Sequence, residues 1–298
     1  MKATIIGGGF GLYGYLPALL QTSPADVLLP VRYRERLLAR NDIHHLADRI
    51  IWLGDTESIL PECSAVIIAL PPALQAPWIE KCLEYPDIQY MLLEKPLAVS
   101  PAIADSLLKQ LEASGKIFRI GYNFRFTDWG SQLLGRSGGA DVMEWCFQAH
   151  HYARNVPTWK RLHAEGGGAL RFYGIHLIAL LAELGYTSAD FSHIPAGSPG
   201  EAASWTARIT GAGLVPCSIH VDSHSQNTVF TIRDSDQNIL HLSQPFEQAT
   251  RDNNILDQRV VFLKKLLDDL FLDPRPCHPW YERVIRLWND IEQKTSVF

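Results

Sequence analysis

The sequence has few of the features that mark proteins which bind nucleic acid or membranes. Its 27 lysine and arginine residues are outnumbered by 32 aspartate and glutamate residues, which gives a formal net charge of -5. Without a basic excess, the chain has no general electrostatic attraction for nucleic acid or for an anionic membrane surface. We therefore expect neither a nucleic acid nor a membrane as a partner.

The chain also shows no secretory signal and no long apolar run. Met1 leads directly into an apolar segment that contains glycines, without the basic region that opens a signal peptide. No uninterrupted apolar stretch approaches the ~20 residues that a membrane-spanning helix needs. These absences predict a cytoplasmic protein. We also find no internal repeat and no low-complexity tract.

Cysteine is scarce and scattered. The five cysteines form no C-x-x-C pair and have no histidines at zinc-finger spacing; they are Cys63, Cys82, Cys146, Cys217 and Cys277. This pattern predicts reduced and mostly buried thiols. The histidine pairs His44–His45 and His150–His151 are sequence neighbours, whose side chains point in different directions on a helix or strand. We predict no metal site.

The first third of the 298 residues alternates short apolar runs with helix-length segments. A well-marked helix follows the fifth run: Ser100 suits the N-cap, Pro101 suits the first turn, and Gly115 suits the C-terminal stop. Such alternation is typical of an α/β fold with a doubly wound parallel sheet and right-handed crossovers. The predicted strands are Ala3–Ile6, Val27–Val31, Ile50–Leu53, Val66–Leu70, Tyr90–Leu93 and Ile117–Tyr122.

The pattern changes after about Phe126 to period-two runs separated by turn residues, which predicts a second, α+β domain with a mostly antiparallel open sheet. A helix is predicted over Tyr173–Leu184, and two amphipathic helices over Arg259–Ile291, broken by D-P-R-P-C-H-P. We place the domain boundary after residue 122 and expect that the C-terminal helix can pack back on the first domain. The predicted strands are Val142–Ala149, Trp205–Thr210, Pro216–Val221, Val229–Arg233 and Ile239–Leu242.

A glycine-rich turn, A-T-I-I-G-G-G-F-G-L-Y-G, follows the first predicted strand. Glycines let the backbone turn sharply and approach a pyrophosphate, whose charge is met by N–H groups at the next helix. Two G-x-G-x-x-G frames compete, Gly7-Gly9-Leu12 and Gly9-Gly11-Gly14. The first fits better because it begins where the strand ends. The turn predicts a dinucleotide cofactor.

The end of the second strand favours NADP(H) over NAD(H). An acidic residue normally stands there and binds the ribose hydroxyls of NAD. Here the segment is V-L-L-P-V-R-Y-R-E-R-L, in which Arg32 and Arg34 offer guanidinium groups suited to a 2′-phosphate. The alternative interpretation is a solvated basic strand end.

Lys95 ends the apolar run Y-M-L-L-E-K-P, just ahead of the helix at Pro101. It is either a solvated strand end or a group placed for chemistry. In open α/β sheets, ligands bind at the carboxyl ends of the strands. This position favours a functional lysine.

Taken in order, these segments resemble the Gfo/Idh/MocA family of glucose–fructose oxidoreductases and inositol dehydrogenases. Gly7 and Gly9 with Y-L-P-A-L-L resemble its glycine motif, and E-K-P-L-A is its most specific signature. V-I-I-A-L-P-P-A-L-Q resembles its A-T-P-x-x-x-H segment, with Leu70 and Gln75 replacing threonine and histidine. G-Y-N-F-R-F, T-W-K and G-G-G-A-L-R-F-Y-G-I-H-L-I-A-L resemble its later elements.

The resemblance implies a dinucleotide-binding Rossmann domain over residues 1–122 and a substrate-binding and oligomerisation domain over 123–298. It implies hydride transfer between NADP, or NAD, and a carbon bearing oxygen in a small sugar-like molecule, with Lys95 and His176 handling the proton. It also implies a homodimer or larger homo-oligomer formed through the second sheet.

By position, the expected cofactor contacts are Gly7, Gly9, Phe10, Gly11, Leu12, Arg32, Arg34, Leu70, Pro71, Pro72, Glu94, Lys95, Pro96 and Asn123. The expected substrate contacts are Lys95, Tyr122, Arg125, Trp159, Arg171, Phe172 and His176.

The chain departs from the family where carboxylates are usual. The family's aspartate four residues before the histidine is Phe172 here, and the one three residues after it is Ala179. Tyr173 could donate a proton in compensation, or it could simply pack. Two alternatives therefore stay open: a reductase of imine or bilin-type substrates, and a cofactor-sensing regulatory protein that has lost the reaction.

Overall fold

The computed structural model describes residues 1–22, 26–247 and 256–297, and the chain forms two compact units. The first unit comprises Met1–Leu97, Lys109–Gly121 and Gln248–His278, and the second comprises Ala98–Leu108, Tyr122–Glu247 and Pro279–Phe298. The sequence predicts one boundary at residue 122. The sequence gives no sign that the chain also passes from one unit to the other near residues 98, 109, 248 and 279.

The elements follow one another as β-α repeats and then as a strand-rich region. The strands are β1 (Lys2–Ile6), β2 (Asp26–Pro30), β3 (Ile50–Leu53), β4 (Ala65–Ile68), β5 (Tyr90–Leu93), β6 (Ile117–Ile120), β7 (Ala140–Gln148), β8 (Ser188–Ile194), β9 (Ser204–Thr210), β10 (Cys217–Asp222), β11 (His224–Asp234), β12 (Ile239–Leu242) and β13 (Thr295–Val297). The α-helices are α1 (Leu16–Thr22), α2 (Arg34–Leu38), α3 (Thr56–Ile59), α4 (Pro72–Leu83), α5 (Pro101–Ala113), α6 (Asp128–Leu134), α7 (His150–Ala153), α8 (Ile175–Leu184), α9 (Val260–Leu272) and α10 (Trp280–Gln293). Gly11–Tyr15 and Ala169–Gly174 form π-helical turns that lead into α1 and α8.

The first unit carries a six-stranded sheet in the order β3-β2-β1-β4-β5-β6, and each neighbouring pair is parallel. This confirms the doubly wound α/β fold. The predicted strand Val66–Leu70 ends earlier, at Ile68. The reason is local, because Pro71 and Pro72 have no N–H group to donate to a sheet ladder.

Helix α5 follows its sequence signals closely. It begins at Pro101, and the N–H of Ala104 donates to the carbonyl of Ser100 at 3.0 Å. It ends at Ala113, and Gly115 then adopts φ +68°, the left-handed conformation that favours glycine. The start and stop predicted from Pro101 and Gly115 are confirmed.

The second unit carries a seven-stranded sheet in the order β12-β11-β7-β10-β9-β8-β13. Only the pairs β10–β7 and β13–β8 are parallel among these strands, so the expectation of a mostly antiparallel sheet is confirmed. Helices α8 and α10 pack on each other, and α10 packs on β8. The predicted helix Tyr173–Leu184 begins as a π-helical turn and becomes α-helical at Ile175.

The helical run His163–Leu184 is long and apolar enough to cross a membrane, with a mean hydropathy of 1.2. It contains G-G-G, so no single apolar stretch of the sequence reveals it. Within the protein, 72% of this window is buried. Such burial is typical of a core helix.

The cysteines follow their predicted burial. Four of them are buried and Cys277 is half-buried, all as free thiols. Burial raises the pKa of the Cys63 thiol, and of Cys82 and Cys146, to about 12. These thiols are therefore poor nucleophiles near neutral pH.

A buried arginine ties α9 and the segment after it to the edge strand of the first sheet. Arg119 on β6 is 0% exposed, and its Nε donates to Oδ2 of Asp269 at 2.6 Å. His278 Nε2 lies 2.6 Å from the same oxygen, while Arg275 pairs with Asp273. Asp269, Asp273 and His278 lie close enough together to hold a metal ion. Because arginines already neutralise both carboxylates, ion pairing accounts for this cluster.

Replacing Arg119 by methionine should lower the free energy of unfolding by about 3 kcal/mol or more, because Asp269 would keep a partly buried charge without one of its two close partners. Urea denaturation followed by circular dichroism measures the change. The matched control is Arg286→Ala, since Arg286 and Glu282 form an ion pair whose side chains are 76% and 52% exposed. That control should change stability by less than about 0.5 kcal/mol. Equal small losses in both variants would contradict the role of Arg119.

Candidate active site

The carboxyl ends of the central strands of the first sheet meet at one edge. The register pairs Ile6 with Ile68 and Ile68 with Leu93, and the strand order reverses between β1 and β4. Such a reversal creates a crevice in which ligands bind. The backbone hydrogen bonds of the sheet continue one residue beyond the strands. The N–H of Ala69 donates to the carbonyl of Ile6 at 2.8 Å, that of Glu94 to Ile68 at 2.9 Å, and that of Gly121 to Leu93 at 2.8 Å.

The glycine turn lies at this edge, and its geometry supports the frame that begins at Gly7. Gly7 has φ +131°, and a Cβ there would collide with the carbonyl oxygen of Ala69. A Cβ on Gly9 would meet no protein atom within 4 Å, which leaves this backbone open to a ligand. A Cβ on Gly11 would lie 2.7 Å from Cγ2 of Ile5. Gly11, rather than Leu12, therefore provides the close helix–strand packing that the third glycine usually allows.

Two residues that sequence reasoning missed support the turn. Tyr33 Oη accepts a hydrogen bond from the N–H of Gly7 at 3.1 Å, and Arg36 Nη1 donates to the carbonyl of Gly8 at 3.1 Å. Tyr33 and Arg36 are three residues apart, which places both side chains on one side of a helical turn. This spacing is the sequence signal from which their shared position could have been predicted. The predicted arginines lie beside them: Arg32 is exposed and donates to Thr56 Oγ1 at 2.7 Å, and Arg34 is exposed.

The turn that carries Lys95 is fixed by a buried amide. Gln75 on α4 is 0% exposed, and its Nε2 donates to the carbonyls of Glu94, Pro96 and Leu97 at 2.9, 2.9 and 3.4 Å. Lys95 is half-buried, and its peptide bond to Pro96 is cis. Gln75, which stands where the resemblance implies a histidine, thus holds the E-K-P turn at this edge of the sheet.

Glu94 joins this turn to the segment after the glycines. Its Oε1 accepts a hydrogen bond from Tyr15 Oη at 2.5 Å, and its Oε2 accepts one from the backbone N–H of Lys95 at 3.2 Å. Burial raises the pKa of the Glu94 carboxyl, while the positive charge of Lys95, the Tyr15 hydrogen bond and the charge of Arg259 oppose that rise. Burial and the neighbouring Glu94 raise the pKa of Tyr15 well above its usual value.

Arg259 also reaches the glycine turn, and sequence reasoning missed it. Its guanidinium carbon lies 4.3 Å from the centre of the Phe10 ring, and its Nε and Nη2 bind the carboxylate of Asp257 at 2.8 and 2.7 Å. The ring of Phe10 in turn packs edge-to-face on Tyr15, with centres 5.3 Å apart. A cation supplied by the C-terminal segment therefore lies against the predicted cofactor turn.

In the second unit, His176 lies in the first turn of α8. It is 4% exposed, and its ring stacks on Phe124 with centres 4.6 Å apart and planes 18° apart. Asn123, just before Phe124, is 3% exposed, and its Oδ1 has no hydrogen-bond partner among the described residues. The cofactor contact of Asn123 and the proton transfer by His176 stay predictions.

The structure brings three predicted residues together in an aromatic cluster. Tyr173 contacts Phe172 at 4.8 Å and Trp145 at 5.6 Å between ring centres, and Phe172 contacts Trp159 at 5.1 Å. Lys160 Nζ lies 5.4 Å from the centre of Phe172, a cation that sequence reasoning missed. Tyr173 therefore does pack against aromatic rings, and its acid–base role stays a prediction.

Arg171, an expected substrate contact, is committed to the protein itself. Its Nε and Nη2 donate to the two carboxylate oxygens of Glu292 on α10 at 2.7 Å each, and its Nη1 donates to the carbonyl of His163 at 2.9 Å. Burial opposes the charge on Glu292, but the hydrogen bonds from Arg171 and His163 outweigh it and lower the pKa of Glu292 to about 2. Arg171 therefore has a structural role beside Glu292, and its contact with a substrate stays a prediction.

Two more expected substrate contacts, the half-buried Arg125 and the buried Tyr122, also contact other side chains of the second unit. Arg125 forms an ion pair with Glu183 at 3.0 Å and stacks over Trp280. Tyr122 is 2% exposed and packs against Trp280 and Tyr281, with ring centres 5.5 and 6.1 Å apart. These side chains are used in packing and ion pairing, and their contacts with a substrate stay predictions.

Several solved structures share this fold. The 3-ketoreductase KijD10 from Actinomadura kijaniata, in complex with NADP and TDP-benzene, has a TM-score of 0.72 at 15% identity and covers 100% of this chain and 98% of its own. The WlbA dehydrogenase from Bordetella pertussis, in complex with NADH and UDP-GlcNAcA, has a TM-score of 0.74 at 13% identity, with coverages of 98% and 96%. GenD2 from gentamicin A biosynthesis, in complex with NAD, has a TM-score of 0.71 at 16% identity, with coverages of 99% and 93%.

Comparison of sequences finds fewer matches than comparison of structures. No curated protein matches the chain. Residues 1–122, which carry the glycine turn, the double proline and E-K-P, match the GFO_IDH_MocA model of an oxidoreductase family with an NAD-binding Rossmann fold. Residues 1–122 therefore form a domain of the Gfo/Idh/MocA type, which is the NAD-binding Rossmann domain of an oxidoreductase family.

Proposed function

We propose that this oxidoreductase transfers hydride between NADP(H) and an oxygen-bearing carbon of a small sugar-like metabolite, with Lys95 and His176 handling the proton. The observation that carries the proposal is the position of Lys95. Gln75 and Glu94 hold its backbone at the carboxyl edge of the sheet, beside the strand end that forms the glycine turn. An isolated surface lysine would have no such support.

The residues of the first unit fit a dinucleotide. Gly7 allows the tight turn, and the open backbone at Gly9 allows close approach of a pyrophosphate. When bound, the nicotinamide accepts or donates the hydride. Oxidation of an alcohol also requires a base that takes the hydroxyl proton, and reduction requires the same group as an acid. The Lys95 amine and the His176 imidazole supply groups able to exchange that proton.

The basic cluster after β2 supports NADP(H) as the cofactor. Arg32 and Arg34 are exposed there, and no carboxylate stands among residues 31–34 to bind ribose hydroxyls. Guanidinium groups bind phosphate through charge-assisted hydrogen bonds. Arg36 already donates to the carbonyl of Gly8 and so supports the glycine turn. Because both NADPH and NADH would bind this turn, Arg36 would contribute to the affinity for each of them.

The aromatic cluster around Phe172 supports a substrate that is less dependent on hydrogen-bonded hydroxyls than a free hexose. Trp159, Phe172 and Tyr173 present rings, and Lys160 adds a cation, while the family resemblance implies an aspartate at position 172. KijD10 is a 3-ketoreductase and WlbA was crystallised with UDP-GlcNAcA. Nucleotide-linked keto sugars are therefore the first compounds to test.

The proposed role of Lys95 is tested by incubating the protein with NADPH and a panel of keto sugars, nucleotide-linked keto sugars and imines while following NADPH absorbance. Lys95→Ala should lower turnover by about 10²- to 10⁴-fold, as expected when a general acid or base is removed. Lys109→Ala, which changes an exposed lysine on α5, is the matched control. An unchanged rate for Lys95→Ala on a substrate that the unaltered protein reduces would refute the role.

The cofactor preference is tested by titrating the protein with NADPH and NADH. Arg32→Ala and Arg34→Ala should each weaken NADPH binding about tenfold, as expected for loss of a charged hydrogen bond, and leave NADH binding unchanged. Arg36→Ala should weaken both, because Arg36 supports the turn at Gly8. Tighter binding of NADH than NADPH by the unaltered protein would contradict the preference.

Gly9→Ala separates cofactor binding from folding. A Cβ at Gly9 meets no protein atom within 4 Å, so the thermal unfolding temperature should match that of the unaltered protein. The affinity for NADPH should fall, because the methyl group would occupy the space through which a pyrophosphate approaches the backbone. Gly197→Ala, equally unobstructed in the second unit, is the control and should change neither property. Normal NADPH affinity in Gly9→Ala would place the pyrophosphate elsewhere.

A further inference from the structure

We infer that Tyr15 is a positioning residue for Lys95 that acts through the carboxylate of Glu94; the inference rests on the proposed role of Lys95. The family motif offers no function for a buried hydroxyl at this place. In the structure the Tyr15 hydroxyl makes a shorter hydrogen bond to the Glu94 carboxylate than the backbone N–H of Lys95 does, and Glu94 adjoins the lysine that we propose handles the proton.

The two carboxylate oxygens of Glu94 accept hydrogen bonds from different residues. Oε1 accepts from Tyr15 Oη at 2.5 Å, and Oε2 accepts from the backbone N–H of Lys95 at 3.2 Å. The tyrosine therefore fixes the rotation of the carboxylate, and the carboxylate fixes the first residue of the turn. Gln75 holds the carbonyls on the other side of the same turn. Loss of the Tyr15 hydroxyl would therefore loosen only the contact of the Glu94 carboxylate with the turn, and the contacts of Gln75 would remain.

Tyr15 is itself held rigidly. It is 0% exposed, and its ring packs against Phe10 of the glycine turn. Gly121, which follows β6, leaves the space that the hydroxyl occupies: a Cβ there would lie 2.9 Å from Tyr15 Oη and 3.3 Å from Glu94 Oε1. The hydroxyl–carboxylate pair is thus enclosed by the ends of three segments, and it links the cofactor turn to Lys95.

The charges around Tyr15 and Glu94 determine how loss of the Tyr15 hydroxyl would change the reactivity of the Lys95 amine. Lys95 from the turn and Arg259 from the start of α9 face Glu94 and favour its charged form, while burial opposes it, and Asp257 offsets part of the charge of Arg259. Without the Tyr15 hydroxyl, the carboxylate loses a donor and takes up a proton more readily. A neutral Glu94 no longer attracts the ammonium of Lys95, so the amine becomes more available at a given pH.

The test measures the reactivity of Lys95 without any substrate. The full-length protein is treated with trace acetic anhydride across a pH series, and acetylation of the Lys95 peptide is quantified by mass spectrometry. In Tyr15→Phe, Lys95 should be acetylated about threefold faster or more near neutral pH, since a hydrogen bond to a charged group favours the charged form by roughly tenfold. Glu94→Gln should give an equal or larger increase, and the labelling profile should move to lower pH in both.

Two further variants keep the outcome interpretable. Tyr90→Phe removes one hydroxyl at the opposite end of β5 and should leave the Lys95 profile unchanged. Gly121→Ala keeps Tyr15 and Glu94 but crowds their contact, so it should shift the profile in the same direction as Tyr15→Phe, and it stands in for that variant if Tyr15→Phe does not fold. Coincident Lys95 profiles for the unaltered protein and these Tyr15 and Gly121 variants would overturn the inference. That result would leave the proposed function to be decided separately by the turnover of Lys95→Ala.

Discussion

The parallel register that pairs Ile6 with Ile68 and Ile68 with Leu93 is the constraint on which the candidate cofactor site depends. Turns that follow parallel strands leave the sheet at one edge, so this register assembles the glycine turn, the double proline and the E-K-P turn from distant parts of the sequence. The ladder runs one hydrogen bond beyond each strand, to Ala69 and Glu94. Backbone pairing therefore fixes the first residue of the double-proline turn and of the E-K-P turn without help from side chains.

Buried charges in the first unit are tolerated where several donors surround each carboxylate. Burial works against the charge on Glu94, and Tyr15, Lys95 and Arg259 work for it. At Glu94 burial outweighs these partners and the pKa is raised, whereas at Asp269 hydrogen bonds from His278 and Arg119 outweigh burial and the pKa is lowered. Burying a charge without such partners is expensive, so each network also fixes the geometry of the segments that supply the donors. At Glu94, the segment fixed in this way carries Lys95.

The sequence predicted what depends on neighbouring residues and missed what depends on distant ones. The backbone turn at Gly7 and both ends of α5 follow from local rules and are present in the structure, while the cofactor contacts of the glycines stay predictions. Tyr15 and Glu94 are 79 residues apart, and Arg171 and Glu292 are 121 apart, so no local pattern reveals either contact. Strand β8 was missed because a bulge between Ala189 and Phe191 breaks the period-two alternation. The three-residue β13 is too short to show a period.

Phe172 changes how a substrate can be recognised under the proposed function. A buried carboxylate that binds a hydroxyl strongly rejects analogues that lack it, whereas an apolar wall discriminates much less against an added or missing group. Phe172, Trp159 and Tyr173 form such a wall, and Lys160 lies over one of its rings. Recognition there must depend on shape and on the cation. Under the proposed function, proton transfer then depends less on the second unit and more on Lys95, whose turn is held by Gln75 and Glu94 of the first unit.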